Sequence, residues 1–216
     1  MARNSSFTSS QNHLALYLAL GLIFLIISFL PFLDTEQQKN LLAEGGLFES
    51  LTVYLYIFCL ILIYVSWPLR KILSKWYFSA LILLFALREL DYDKAYFTHG
   101  VLKSRQYFSD LVGLPELLIS IGVLIFILAV LALIVLRERN NFIKGVIDFR
   151  QSQLAVLTSI ILVIVTKTID GMERKFGIDL SPPGERFALI VEEVGEMGIP
   201  IMFAIAILSW RNKNQT

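Results

Sequence analysis

A chain of 216 residues that is 56% hydrophobic and 12% aromatic, with only 17% charged side chains, is too apolar for a water-soluble domain and reads as a polytopic membrane protein. The formal net charge of +1 implies no nucleic-acid partner. The single cysteine, Cys59, excludes an internal disulfide.

The first apolar run, Leu14 to Leu33, gives about 20 residues without a charge, enough to cross roughly 30 Å of hydrocarbon. It is longer than a signal-peptide core and lacks a small-residue cleavage site before Asp34, so it reads as a retained anchor. The second run, Leu51 to Pro68, reaches full length only by starting a turn earlier and taking in Glu49. The third, Trp76 to Leu87, is about 12 residues and must borrow Arg88-Glu89-Leu90-Asp91 to span. Leu117 to Leu136 is the second simple span, again about 20 residues. The fifth, Gln151 to Thr166, is about 16 residues and borrows Lys167 to Asp170. The sixth, Met197 to Trp210, is about 14 residues and borrows Glu192, Glu193 and Glu196. Backbone polar groups cannot be left bare in lipid, so helix is expected to continue through each borrowed stretch.

The fold class predicted is therefore all-α: one integral membrane domain over residues 1–216, a six-helix bundle with spans near 14–33, 47–67, 76–96, 115–136, 152–172 and 187–210. No internal repeat or soluble module interrupts it. The short loop with Arg70, Lys71 and Lys75 is assigned to the cytoplasm, together with Arg3, Arg137, Arg139, Lys144, Arg150, Arg211 and Lys213. Both termini then lie on the cytoplasmic side of the plasma (inner) membrane, and the sequons at Asn4 and Asn214 face the cytoplasm, where they stay unmodified.

On that topology all but Glu138 and Asp148 of the 18 carboxylates fall on the opposite face or in its half of the bilayer. Glu49, Glu89, Asp91, Asp170, Glu192, Glu193 and Glu196 reach the outer half of the membrane, with Arg88 and Lys167 as the only bases at that depth. An ionisable group there is expensive to desolvate and marks a functional site by default. The spacing predicts shared helix faces for Glu89 with Asp93 and for Glu192 with Glu196, each pair four apart. Acids outnumber bases, so a proton, a metal ion, a cationic ligand or entering water must balance the site. Oxygen ligands without cysteine or histidine suit a hard cation, Mg²⁺, Mn²⁺ or Ca²⁺, and no organic cofactor is implied.

The expected metal ligands are Glu49, Glu89, Asp91, Asp170, Glu192 and Glu196, with Glu193, Arg88 and Lys167 as catalytic groups. Pro200 is expected to free the carbonyl of Glu196, and Gly195 and Gly198 to admit a neighbouring helix closely. The plainer readings are structural ion pairs for Arg88 and Lys167, and a solvated helix start for Glu192, Glu193 and Glu196. Tyr54, Tyr56, Tyr64, Trp67, Trp76, Tyr77 and Trp210 read as belt or packing aromatics. His99 and Arg105, among Tyr96, Phe97, Tyr107 and Phe108, form a stretch able to meet headgroup phosphates.

No Gly-rich phosphate loop, histidine box or His-Glu-x-x-His helix is present. Three functions remain. One is a metal-dependent hydrolase or transferase acting on a membrane lipid or lipid-linked substrate; the second is a cation or proton transporter; the third is a non-catalytic sensor or assembly factor that binds a metal or ligand. The apolar inner half offers almost no relay for an ion, which disfavours transport.

Overall fold

The structure is a computed structural model, and it describes residues 13–43, 45–172, 177 and 180–212. Arg3, Asn4, Lys213 and Asn214 lie outside these residues. The described chain is helical, with no strand. Helix α1 (Leu14–Phe29) runs through a 3₁₀ turn (Leu30–Phe32) towards α2 (Thr35–Leu42) and α3 (Leu47–Ser66). Then come α4 (Leu69–Ser74), α5 (Trp76–Glu89), α6 (Tyr92–Tyr96), α7 (Arg105–Phe108), α8 (Leu114–Ile147), α9 (Gln151–Asp170) and α10 (Pro182–Asn212).

Four stretches are long and apolar enough to cross a membrane: Leu14–Phe32, Thr35–Ser66, Leu114–Ile147 and Gln151–Asp170. The remaining two of the six expected spans are of another kind. Helix α5 has 14 residues, about 21 Å at 1.5 Å rise, which falls short of the hydrocarbon thickness. Helix α10 has 31 residues, ample in length, but Glu185, Arg186, Glu192, Glu193 and Glu196 interrupt its apolar run.

The third span was expected to stay helical to residue 96, and it does not. Helix α5 stops at Glu89, and Asp91 takes a left-handed backbone with φ of 50°. Aspartate tolerates that region better than a branched or bulky residue. The Asp91 carbonyl then accepts from the amides of Lys94 (2.9 Å) and Ala95 (3.0 Å), which starts α6 in a new direction. Helix α8, conversely, runs past the expected end at 136 to Ile147. Charged residues end an apolar span without ending a helix, because Arg, Glu and Lys are good helix formers.

Burial ranks the helices. In α8 the buried residues are Ser120, Val130 and Gly145. Leu118, Ile119, Ile125, Leu128 and Leu136 point outward, a surface expected of a helix solvated by lipid. Helix α10 is the hub, packing most extensively on α9 and α3 and also on α1. Residues 194–200 of α10 are buried without a break, so the helix is enclosed on all sides there.

Two apolar clusters flank α10. Leu16, Ile23, Ala155, Ile190, Val194 and Met202 join it to α1 and α9. Tyr56, Cys59, Ile63, Ile82, Ala86, Ile199 and Ile207 join it to α3 and α5. Close approach to α9 requires glycine at 195, since a Cβ there would stand 2.6 Å from Cγ2 of Thr166. Cys59 donates its thiol proton to the Pro200 carbonyl at 3.2 Å, pinning α3 to α10 at the proline.

Candidate functional site

The enclosed segment of α10 carries a carboxylate, Glu196, that is only 8% exposed. An ion so placed needs partners, because desolvating it alone costs several kcal/mol. Two neighbouring helices supply them. Arg88, in the last turn of α5, donates from Nη2 to Glu196 Oε1 at 3.2 Å. Lys167, in the last turn of α9, places Nζ 2.8 Å from the same oxygen. Cations in the last turn of both helices also suit the negative end of each helix dipole. Glu196 is thus the knot that ties α5, α9 and α10 together.

Around the knot stand further acids. Arg88 Nη1 lies 3.8 Å from Glu89 Oε1, and Lys167 Nζ lies 3.7 Å from Asp170 Oδ2. Glu192 is in the electrostatic field of Asp170, Glu196, Lys167 and Arg88. Glu193 is in the field of Glu196, Glu192, Glu89 and Glu49. Glu49 also acts on Glu89, and its Oε2 accepts the Gly45 amide at 2.5 Å, which orders the turn before α3. Ion pairs therefore join Arg88, Glu89, Lys167, Asp170 and Glu196 across α5, α9 and α10, while Glu49, Glu192 and Glu193 act on them through their charge. Asp91 stands apart, because the left-handed turn that ends α5 directs its carboxylate to Lys94 Nζ at 2.8 Å.

Two atoms within this group lack the hydrogen bonds that buried polar atoms normally make. Glu89 is 8% exposed and its Oε1 has no hydrogen-bond partner. Tyr56 is wholly buried and its hydroxyl also has none. They are neighbours, since Glu89 heads the charges that act on Tyr56, followed by Glu196 and Arg88. Tyr56 was read from the sequence as a packing aromatic. A signal was present: it lies two turns after Glu49 on the same face of α3. Its ring is also held by packing, stacked on Phe85 at 5.7 Å between centroids.

Among the described residues, no three His, Cys, Asp or Glu side chains are grouped so as to hold one metal ion. The carbonyl that Pro200 was expected to free belongs to Glu196, on the enclosed segment of α10. Two open clefts lie elsewhere. One is lined by Pro31, Gln38, Arg186 and Ile190 among others, the second by Lys94, Phe97, Thr98, His99, Lys103 and Arg105.

A second charged group forms around α4 and the start of α5, where Lys75 Nζ donates to Glu138 Oε1 at 2.6 Å and the Tyr77 hydroxyl donates to the same oxygen at 2.5 Å. Lys71 Nζ lies over Trp67 (4.2 Å) and Trp210 (4.4 Å). Burial, and then the nearby charge of Lys75, holds Lys71 below the usual ammonium range. This group has its counter-charges built in, and its buried orphan atoms, Ser66 Oγ and Trp67 Nε1, are uncharged.

Comparison of the chain with family models, with curated proteins and with solved structures finds no match. The site must be interpreted from its own chemistry.

Proposed function

We propose that this is an integral membrane protein, with α5 and α10 completing six crossings, whose buried charge cluster binds an ammonium-bearing ligand from the non-cytoplasmic side. The observation that carries the reading is the pair of orphaned atoms, Glu89 Oε1 and Tyr56 Oη. Both accept hydrogen bonds, and an ammonium N–H group would satisfy both while adding positive charge where acids predominate. Glu196 already has Arg88 and Lys167, so the unbalanced charge rests on Glu89, Glu192 and Glu193.

A lipid or lipid-linked molecule with an amine in its headgroup is the substrate class that combines such a charge with access from the bilayer. Glu193, which has no ion-pair partner among the described residues and feels the charges of Glu196, Glu192 and Glu89, is the group assigned to exchange a proton with that amine. The competing occupant is a divalent cation on Glu49, Glu89, Asp91, Asp170, Glu192 and Glu196. It requires three carboxylates to converge and draws Glu196 away from its two bases.

Thermal unfolding of the purified protein separates the two occupants. Ethanolamine should raise the midpoint, whereas tetramethylammonium, equal in charge but without N–H groups, should not. The effect should vanish in Glu89→Gln and in Tyr56→Phe. Stabilisation by Mn²⁺ with loss on chelation, and no response to ethanolamine, would replace the amine with a metal.

A further inference from the structure

The open cleft at Lys94, Phe97, Thr98, His99, Lys103 and Arg105 has a volume of about 340 Å³ and is built from α6, the start of α7 and the segment between them. Its walls are basic. Lys94 is paired with Asp91, but among the described residues neither Lys103 nor Arg105 has an ion-pair partner, and both are exposed.

The segment is not a loose loop. Gln106 is wholly buried, and its Oε1 accepts the His99 amide at 2.8 Å while its Nε2 donates to Glu116 Oε1 (2.7 Å) and Ser120 Oγ (3.0 Å). The Thr98 amide and hydroxyl donate to the two Glu116 oxygens at 2.7 and 3.1 Å. Tyr107 donates to the Val101 carbonyl at 2.6 Å. Gly100, with φ of 85°, makes the bend that no other residue adopts cheaply, and Asp93 packs where its Cβ would lie. The carboxylate of Glu116 is consumed in fixing the segment to the first turns of α8, so a rigid frame presents Lys103 and Arg105.

The surroundings decide what the frame is for. Tyr96, Leu102, Phe108, Leu111 and Leu114 are each at least 67% exposed beside the cleft. They continue into the outward apolar face of α8 at Leu118 and Ile119. A basic cleft at the end of a lipid-facing helix, rimmed by exposed aromatic and aliphatic side chains, matches a molecule with a phosphate head and acyl chains. We infer that this cleft is a binding site for the phosphate of an anionic phospholipid, with Lys103 and Arg105 as its ligands and the acyl chains lying along α8. The inference is independent of the ligand assigned to the carboxylate cluster.

The test uses the full chain in mixed micelles, with retained lipid counted by native mass spectrometry. The wild-type protein should retain phosphatidylglycerol in preference to phosphatidylcholine. Lys103→Gln and Arg105→Gln should each weaken that preference about five-fold, the worth of one base near an anionic surface. Lys103→Glu combined with Arg105→Glu should abolish it. Both side chains are exposed, so these variants should keep the wild-type unfolding midpoint, and Arg105→Lys should keep most of the preference. Equal retention of the two lipids by the wild type would overturn the inference, as would unchanged preference in the doubly reversed variant. Displacement of the lipid by millimolar inorganic phosphate, with equal thermal stabilisation, would mark a site for free phosphate and overturn the assignment to lipid.

Discussion

Two glutamates of the cluster, Glu196 on α10 and Glu89 on α5, should respond differently to loss of charge. Glu196→Gln keeps the shape of the side chain and removes the acceptor of both Arg88 and Lys167. Cutting one partner of a fully buried ion pair costs about 3–5 kcal/mol. Here the two bases keep 35% of their side-chain surface accessible, and each retains a second carboxylate, Glu89 at 3.8 Å and Asp170 at 3.7 Å. The expected cost is therefore lower, roughly 2 kcal/mol. For a chain of this size that lowers the unfolding midpoint by about 4–8 °C. Glu89→Gln removes a charge whose Oε1 has no hydrogen bond, and should change stability by less than about 0.5 kcal/mol or raise it.

The assay is tryptophan fluorescence during heating of detergent-purified protein at one fixed scan rate, since unfolding of such proteins is commonly irreversible. Glu36→Gln, on the exposed face of α2, is the control and should shift nothing measurable. Equal midpoints for wild type and Glu196→Gln would refute the knot. A fall for Glu89→Gln as large as that for Glu196→Gln would refute the distinction between a hydrogen-bonded carboxylate and one held only by a long ion pair.

Two glycine variants should move in opposite directions on the same assay. Gly195→Ala drives a methyl group to 2.6 Å from Thr166, itself buried, and should destabilise by about 1–3 kcal/mol. Gly122→Ala meets nothing within 4 Å and should stabilise by up to about 1 kcal/mol through helix propensity; a fall for both, or for neither, would count against close packing of α9 on α10. A cysteine at position 36 should react with an impermeant thiol reagent in intact cells and one at position 213 should not, with native Cys59 silent because it is buried. The reverse labelling would place the carboxylate cluster on the cytoplasmic side.

What could be read from the sequence follows from the physics of length. Arg88, Lys167 and Glu196 were found because three apolar runs were too short to span without them, and a helix cannot stop in lipid with its backbone bare. Gly195 was found because a small residue beside charged ones on a buried helix implies a close neighbour. Asp91 was misplaced because the same rule extended helix through it, whereas the chain turns on a left-handed residue whose preference is local. Tyr56 was passed over because tyrosine in a membrane segment usually sits in the interfacial belt, and only the packing of α3 against α10 shows its hydroxyl enclosed. The extension of α8 past 136 was hidden for a different reason. The run Arg137-Glu138-Arg139 marks the end of hydrocarbon, and the grip of Lys75 and Tyr77 on Glu138 depends on a contact made across 61 residues or more.

The apolar packing beside the cluster bears on whether ions pass through. From Tyr56 the rings of Phe85 and Phe203 lie within 6.4 Å between centroids. Further along the same three helices Trp67, Phe78 and Trp210 form a second group, with Trp67 and Trp210 at 5.0 Å. Between these groups the buried residues are Cys59, Ile63, Ile82 and Ile207. A conduit through that interface would need polar groups or room for water at intervals, because each unsolvated charge would otherwise carry its full desolvation cost. Cys59 is committed to the Pro200 carbonyl, and the isoleucines offer no lone pairs. The charge cluster thus rests on an aromatic and aliphatic stack, with Lys71 and Lys75 over Trp210 at its far end. That arrangement favours a ligand that enters and leaves by the same side over one that crosses.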